Sequence, residues 1–338
     1  CGPSPALKDE QAAPAHPAGA AATAKRAKHM TAPITVVGEV LIDILRSRDG
    51  DAVEHVGGSP ANVAIGLARL GHPTRLATYF GTDPRGRRIA NLMSREGIRL
   101  TPPSQQAPRT SAATAALDAA GVAHYEFDLA WHFEAETLNL HRDEHLHTGS
   151  IAAAVRPGSA AVLAAVLRAR EHSTISYDPN IRPALMGRPD QVLPMVERFV
   201  SCSDVVKASE DDVEWLYGET PLPQVLDRWT ELGASICAIT RGGEAMAVST
   251  LGDHRWFQPP KVAVADTVGA GDSAMAGLLS GLLDAGLLGG TFARERLRST
   301  TWSVVQEAVA RSLACAALTV SRSGANPPRR SELPPSAA

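Results

Sequence analysis

Short apolar runs alternate with amphipathic segments along most of the chain. Ile34–Val37 is typical of a buried strand, and apolar residues then recur at helical spacing between residues 63 and 70. Further predicted strands are Arg75–Phe80, His145–Thr148, Thr174–Asp178, Asp204–Lys207, Ser235–Thr240 and Ala245–Ser249; predicted helices are Arg85–Glu96, Gly158–Arg170, Gln191–Val200, Asp211–Tyr217, Pro223–Leu232 and Thr301–Val320. This alternation predicts an α/β fold with a mainly parallel central sheet covered by helices on both faces.

One segment departs from this rhythm. Thr110–Leu117 and Val122–Phe127 alternate on either side of Asp118–Gly121, which is a hairpin signature. A hairpin inserted among strand–helix units cannot join a parallel sheet, so we expect a separate small β-sheet that acts as a lid, with segments at about 44–57 and 109–128. The hairpin could also pair two copies of the chain, so a homodimer through the lid and a monomer with a flap both stay open.

The two ends of the chain lack apolar periodicity. Residues 1–31 are rich in Ala and Pro and are predicted to be a disordered leader, and residues 329–338 a disordered tail. No internal repeat or linker divides residues 32–328, which predicts one main domain. Cys1 followed by a flexible tether would suit a lipid anchor, but the rest of the chain favours a cytoplasmic protein.

Composition and charge narrow the classes of partner. A formal net charge of −3 over 338 residues gives no reason to expect nucleic acid or an acidic membrane. No apolar run reaches the roughly 18 residues that span a bilayer. The four cysteines are scattered without metal spacing, as expected for buried thiols in a reducing compartment. His145 and His147 lack an accompanying acidic or thiol cluster, so we predict ordinary strand histidines.

The loop Asp266–Asp272, with the sequence DTVGAGD, carries the clearest chemistry. It lies between an alternating run, Lys261–Ala265, and a small apolar run, which predicts a strand, a glycine turn and a helix. The glycines let successive N–H groups point into one space, and the helix N-terminus adds partial positive charge, so an anion is the expected ligand. A carboxylate at Asp272 would repel that anion unless it has a proton to remove, which predicts a general base.

Two further loops are predicted to bind the other reactants. Hydrogen-bonding groups suited to a polyhydroxylated ligand gather at Asp43, Gly57, Gly58 and Asn62, and Ser59 is placed to cap the helix that follows. The glycine pair after Thr240 follows a predicted strand, where backbone can approach a nucleotide phosphate. A sugar pocket, a nucleotide loop and a base together predict phosphoryl transfer to a hydroxyl.

Two motifs resemble the signatures of a known family. DTVGAGD and GGSPANVAIGLARLG are similar to the C-terminal and N-terminal signatures of the ribokinase, or PfkB-type, carbohydrate kinases, and the resemblance covers about residues 34–328. It implies a ribokinase-like fold, ATP as cofactor and a sugar as substrate. It also implies that Asp272 is the base, that the anion hole is Gly269, Ala270 and Gly271, that the sugar site is Asp43, Gly57, Gly58 and Asn62, and that the nucleotide loop is Thr240, Gly242 and Gly243.

The same resemblance implies metal sites. The family's NxxE motif organises the magnesium-bound phosphates, and its matching positions here are Ser209 and Asp212, with Asp212 acting on Mg²⁺ through a water. Positions matching a monovalent-cation site, mostly through carbonyl oxygens, are Asp266, Val268, Thr319, Arg322 and Gly324. Pro328 stands where a serine is frequent, which leaves K⁺ dependence open.

The segment Tyr177–Leu185 resembles the DPNxRxxLW segment of the fructokinase and keto-deoxy-gluconate kinase branch. This implies that Asp178 binds substrate and that Arg182 meets the transferred phosphoryl group, with a helix-entry ion pair as the alternative role of Arg182. Tyr125 matches the lid tyrosine, and the acids that follow it would repel a substrate carboxylate. Fructose is therefore favoured, with 2-keto-3-deoxygluconate and other sugars or nucleosides as alternatives.

Two other classes of protein compete with a sugar kinase. Gly269-x-Gly271-x-x-Ala274 fits a dinucleotide fingerprint, but no acid at the end of a following strand completes it, and no P-loop motif occurs. A non-catalytic sugar-binding regulator would be expected to lose the base or the anion-hole glycines, and this chain retains them.

Overall fold

Strands and helices alternate through the chain, as the sequence predicts. The computed structural model describes residues 1–2, 32–46, 51–117, 123–141, 143–250, 252–335 and 337. The strands are β1 (Ile34–Val37), β2 (Leu41–Arg46), β3 (Ala52–Gly57), β4 (Thr74–Ala77), β5 (Arg99–Leu100), β6 (Ala112–Leu117), β7 (Ala123–Asp128), β8 (His145–Gly149), β9 (Thr174–Asp178), β10 (Val205–Ser209), β11 (Ile236–Thr240), β12 (Met246–Thr250) and β13 (Asp253–Phe257).

The helices between these strands cover the sheet. The α-helices are α1 (Ser59–Arg69), α2 (Pro84–Arg95), α3 (Ser150–Ala154), α4 (Gly158–Ala169), α5 (Pro183–Met186), α6 (Pro189–Cys202), α7 (Glu210–Tyr217), α8 (Leu222–Leu232), α9 (Ala270–Asp284), α10 (Thr291–Arg298) and α11 (Trp302–Val320). Short 3₁₀ helices are Pro102–Gln105, Ala135–Thr137 and Arg330–Glu332.

The central sheet has the order β13-β12-β11-β10-β9-β8-β1-β4-β5. Neighbours from β11 to β5 are parallel, and β12 and β13 add an antiparallel edge. Successive strand residues point to opposite faces, so Val205 joins one apolar core with α1, α9 and α11 while Val206 joins a second with α4, α6 and α8. The predicted α/β architecture with helices on both faces is confirmed.

A separate four-stranded sheet, the predicted lid, has the order β3-β2-β6-β7. Strands β2 and β6 are parallel, and the two outer pairs are antiparallel. The predicted small sheet is confirmed, although its first strand begins at Leu41 rather than at about residue 44. The predicted hairpin turn Asp118–Gly121 lies outside the described residues.

The predicted strand Lys261–Ala265 is wrong. These residues are exposed and have no regular secondary structure. Val262 and Val264 are 41% and 65% exposed, so their alternation does not mark a buried face. The backbone is instead fixed at its far end, where the N–H groups of Ala265 and Asp266 both donate to the Val320 carbonyl.

The end of the chain packs against the fold, which differs from the disordered tail expected from its composition. Leu333 and Ala337 are buried with Leu70 and Cys315. Arg330 donates to the Leu70 carbonyl (2.6 Å) and to Asp284 Oδ2 (2.6 Å). The predicted leader falls outside the described residues after residue 2.

Helix α11 is long and apolar enough, by length and composition alone, to cross a membrane. Within the fold 56% of its most apolar 18-residue stretch is buried, and the helix packs along α9.

Two histidines of β8 are hydrogen-bonded inside the central sheet. His145 contacts the Thr174 and Ser176 hydroxyls (both 2.8 Å), and His147 contacts Ser176 (2.9 Å). Both rings are buried in β8 and hydrogen-bonded, as predicted for ordinary strand histidines.

Candidate active site

The glycine turn at Gly269 leads directly into α9. Gly269 is the N-cap residue with φ 77°, and a Cβ added there would lie 2.6 Å from the Ala325 Cβ, so only glycine fits. The Ala270 N–H closes the turn by donating to the Thr267 carbonyl (3.2 Å). Helix geometry leaves the next first-turn N–H groups, those of Gly271 and Asp272, without intrahelical acceptors. This end of a 15-residue helix can therefore bind an anion.

Asp272 is fixed by two side chains of α1. The Ser59 hydroxyl donates to its Oδ1 (2.6 Å), and the Asn62 amide donates to its Oδ2 (2.8 Å). The expectation that Ser59 caps α1 is wrong, because Gly58 is the N-cap and no side chain caps this helix. Each carboxylate oxygen accepts one hydrogen bond and retains a lone pair for a further donor.

A cavity of about 1030 Å³ opens between the lid and the C-terminal edge of the sheet. It gathers predicted residues from five segments of the chain: Asp43, Asn62, Arg182, Asp266, Val268 and Gly324. Asp272 is only 8% exposed and lies behind this wall, where Asn62 connects it to the cavity. The structure therefore brings the predicted sugar site and the predicted base together through α1.

Asp43 is one of three acids that line this cavity, with Glu54 and Asp266. Burial raises its pKa to about 6, although Arg182 and His55 lower it. A Cβ added at Gly57 would overlap Asp43 Oδ2, so the diglycine leaves room for this carboxylate. Gly57 therefore acts by its lack of a side chain.

Arg182 has an exposed guanidinium at the start of α5. Its Nη1 donates to Asn180 Oδ1 (2.7 Å) and to the carbonyls of Asn180 (3.3 Å) and Ile181 (3.0 Å). These contacts differ from the ion pair offered as an alternative role.

Tyr125 lies on β7, but its side chain falls outside the described residues.

Asp178 lies away from the expected substrate position. It is 1% exposed at the end of β9, and its Oδ2 lies 2.9 Å from Lys207 Nζ. No described donor is well directed at either carboxylate oxygen. Burial raises the pKa of Asp178 to about 6, against the lowering effect of Lys207. The structure thus places Asp178 in a buried ion pair rather than on the cavity wall.

Sequence reasoning missed Lys207. Its Nζ lies 3.2 Å from where a Cβ on Gly271 would be, so the ammonium lies against the glycine turn. Burial lowers its pKa, but the carboxylates of Asp178, Asp212 and Asp272 outweigh this and raise it. A lone cation inside the apolar strand VVKAS was the available signal, because a buried charge needs a partner or a function.

Ser209 and Asp212 form a capping box at the start of α7. Ser209 Oγ accepts from the Asp212 N–H (3.1 Å), and Asp212 Oδ2 accepts from the Ser209 N–H (2.9 Å). Asp212 Oδ1 accepts from the Ile181 N–H (2.7 Å). Both carboxylate oxygens are thus engaged, which suits a contact with Mg²⁺ through water better than direct ligation. The described residues contain no group of three or more His, Cys, Asp or Glu side chains that could hold a metal.

The nucleotide-loop residues follow β11. Thr240 pairs in register with Ser209 across β10 and β11, and its hydroxyl donates to the Ala208 carbonyl (3.3 Å). Gly242 has φ 56°, and neither it nor Gly243 has an atom within 4 Å of an added Cβ, so this turn is open to solvent. Thr240, Gly242, Gly243 and Ser209 therefore share one edge of the sheet.

The segments predicted to hold a monovalent cation lie side by side. Asp266 accepts from the N–H groups of Val268 (3.0 Å) and Gly324 (2.8 Å), and these hydrogen bonds lower its pKa. The Thr319 hydroxyl is buried and donates to Ser273 Oγ (2.7 Å), while Arg322 pairs with Glu332 (2.6 Å). These side chains are engaged, so a cation here would depend on backbone carbonyls.

Comparisons with known proteins bear on the family and the fold. The model of the pfkB family carbohydrate kinases matches residues 31–332. A fructokinase of Escherichia coli is 31% identical over 266 residues, covering 76% of this chain and 87% of that protein. The probable chloroplastic fructokinase-6 of Arabidopsis thaliana is 31% identical over 317 residues, covering 87% and 79%. A crystal structure of fructokinase from Vibrio cholerae O395 with fructose, ADP and calcium has a TM-score of 0.75 at 24% identity, covering 88% of this chain and 95% of that one, and supports the fold.

Proposed function

Because the chain belongs to the pfkB family of carbohydrate kinases, we propose that it transfers the γ-phosphoryl group of ATP to a hydroxyl of fructose. The observation that carries this proposal is the position of Asp272. Its carboxylate lies on the first turn of α9 and is linked through Asn62 to the cavity that contains Asp43. A base, an anion-binding helix end and a polar cavity therefore meet in one place.

The chain's own groups suffice for the steps at the acceptor. Asp43 and the second N–H of Asn62 bind and orient the sugar hydroxyls. Asp272 removes the proton from the reacting hydroxyl as its oxygen attacks the γ-phosphorus. The Gly271 and Asp272 N–H groups and the Lys207 ammonium stabilise the charge on the transferring group. Magnesium, when bound to the ATP phosphates, neutralises their charge, and Asp212 would contact it through water.

The choice of fructose depends on charge. Of the three acids that line the cavity, Glu54 and Asp266 already accept hydrogen bonds from described residues, whereas Asp43 accepts none and would repel a substrate carboxylate. Asp128, one of the two acids that follow Tyr125, is paired with Arg109 (2.9 Å from Oδ1 to Nε), so it contributes little to this argument. Arg182 favours the alternative substrate, 2-keto-3-deoxygluconate, because its guanidinium lines the cavity and donates to no carboxylate among the described residues.

A coupled ADP-release assay across fructose, ribose, adenosine and 2-keto-3-deoxygluconate tests the proposal. We expect fructose to give the highest kcat/KM. A higher value for 2-keto-3-deoxygluconate would assign the alternative substrate. Sugar binding without turnover of any substrate would instead indicate a non-catalytic regulator.

The buried thiols of Cys202, Cys237 and Cys315 support a cytoplasmic location for this activity.

Asp272→Asn tests the base directly. We expect kcat to fall by at least about 10³-fold, because the amide cannot accept the proton, while nucleotide affinity stays within about twofold. Asp190→Asn is a matched control, because Asp190 is exposed at the start of α6 and pairs only with Arg188 among the described residues. Retention of most of the activity by Asp272→Asn would rule out the assigned role.

A further inference from the structure

Ser59 has an unusual position for a serine at a helix start. It is the first residue of α1, but its hydroxyl does not cap the helix. The hydroxyl instead donates 2.6 Å to Asp272 Oδ1, across 213 residues of sequence. Ser59 is 8% exposed and is absent from the cavity wall, whereas Asn62 lines the cavity. Ser59 can therefore reach the substrate only through Asp272.

The two helices hold this contact rigidly. Ser59 and Asn62 are three residues apart, so both side chains lie on the face of α1 that meets α9. One to two turns further on, a Cβ added at Gly66 would lie 2.6 Å from the Ala276 Cβ, which marks close contact of the two backbones. The Ser59–Asp272 hydrogen bond therefore does not depend on a flexible loop.

The charges around Asp272 come from other elements. Lys207 on β10, Asp178 on β9 and Asp43 on β2 all act on it electrostatically. None of these is placed to fix the rotation of the carboxylate about its Cβ–Cγ bond, because that requires directed hydrogen bonds to both oxygens. Among the described residues, Ser59 and Asn62 provide them.

We propose that Ser59 is a positioning residue for phosphoryl transfer, whose hydroxyl fixes the plane of the Asp272 carboxylate so that a free lone pair faces the acceptor hydroxyl. This inference rests on the proposed kinase function. In the reaction, the acceptor O–H bond breaks and its proton passes to Asp272, while the acceptor oxygen bonds to phosphorus and ADP leaves. Ser59 keeps its own proton throughout. Its contribution is orientation, so it affects the chemical step rather than sugar binding.

Three variants of the full-length chain, assayed at saturating ATP, test this role. We expect Ser59→Ala to lower kcat by about 10- to 100-fold while sugar KM changes less than about twofold, since the lost contact orients only the base. Ser59→Thr keeps the hydroxyl and is expected to recover most of the activity. In an Asp272→Asn background, Ser59→Ala is expected to cause no further loss, because both changes remove one interaction.

The alternative is that Ser59 only supports helix packing. In that case the losses from Ser59→Ala and Asp272→Asn would multiply, and Thr would not rescue. If Ser59→Ala does not fold, Ser59→Cys is compared with Ser59→Thr, because the thiol is a weak donor of similar size. Equal kcat for the two would then overturn the proposal, and a lower kcat for Cys would support it. If the wild type phosphorylates sugar and Ser59→Ala has the same kcat, this inference alone is overturned. If the wild type phosphorylates no sugar, the proposed function is overturned as well.

Discussion

Asp43 gives the sharpest test of how the cavity is built, because the same burial affects both stability and sugar binding. A carboxyl pKa that rises from 3.8 to about 6 on folding corresponds to a cost of about 3 kcal/mol when the group is ionised. The side chain is partly exposed, so we reduce this to about 2 kcal/mol. The folded protein binds this proton more tightly than the unfolded chain does. The contribution of Asp43 to the free energy of unfolding therefore falls as pH rises from about 4 to 6, and is constant above that.

The perturbation is Asp43→Asn, measured by urea unfolding at pH 5 and pH 8. We expect the variant to be more stable than the wild type by about 2 kcal/mol at pH 8, because the amide removes the cost of a buried charge. At pH 5 the wild-type side chain is largely protonated when folded, so the gap should shrink to about half. Asp51→Asn, at an exposed position just before β3, is the control and should show no such gap at either pH.

The same variant should lose function as it gains stability. Ionised Asp43 accepts hydrogen bonds from sugar hydroxyls, so the wild-type sugar KM should rise about tenfold between pH 7 and pH 5 as the carboxylate is protonated. The KM of Asp43→Asn should be high and nearly independent of pH. A stability gap that is equal at pH 5 and pH 8, or a variant less stable than the wild type at pH 8, would refute the reasoning.

Two further predictions concern the support of Asp272. Lys207→Met should lower kcat and reduce the free energy of unfolding at pH 8 by about 3 kcal/mol, because Asp178 is left buried without its counter-charge. Adding Asp178→Asn should restore stability but not kcat. Recovery of both would show that Lys207 is only structural. Gly66→Ala should lower Tm and reduce the free energy of unfolding by about 1–3 kcal/mol, because the added methyl forces α1 away from α9. Gly243→Ala is the control, because its added methyl meets open space and should leave Tm unchanged. An unchanged Tm for Gly66→Ala would show that the helices separate without cost.

The local chemistry of the site could be predicted from sequence, because the residues within each loop are enough to indicate what that loop binds. Glycines beside a lone acid at Asp272, and a diglycine followed by Asn62, indicate ligand contact without any knowledge of tertiary structure. The contact between Ser59 and Asp272 could not be predicted, since nothing in either segment shows that α1 and α9 lie side by side. A serine before Pro60 is as typical of a cap as of a distant contact.

Differences between prediction and structure have a similar origin. The alternation in Lys261–Ala265 resembles a strand, but periodicity does not show whether a partner strand is available. Asp178 follows a strand in the way a ligand-binding acid does, yet Lys207 on the neighbouring strand pairs with it. In both cases the deciding fact lies in a segment remote in sequence.

The packed C-terminus has a consequence for synthesis. Arg330 and Leu333 contact Leu70 and Asp284, at the C-terminal ends of the helices whose first turns hold the Ser59–Asp272 contact. A chain made from its N-terminus therefore exposes the lid and β1 long before the last partners of α1 and α9 have left the ribosome. Removal of residues 330–337 is therefore expected to uncover Leu70 and to leave Asp284 without its contact to Arg330.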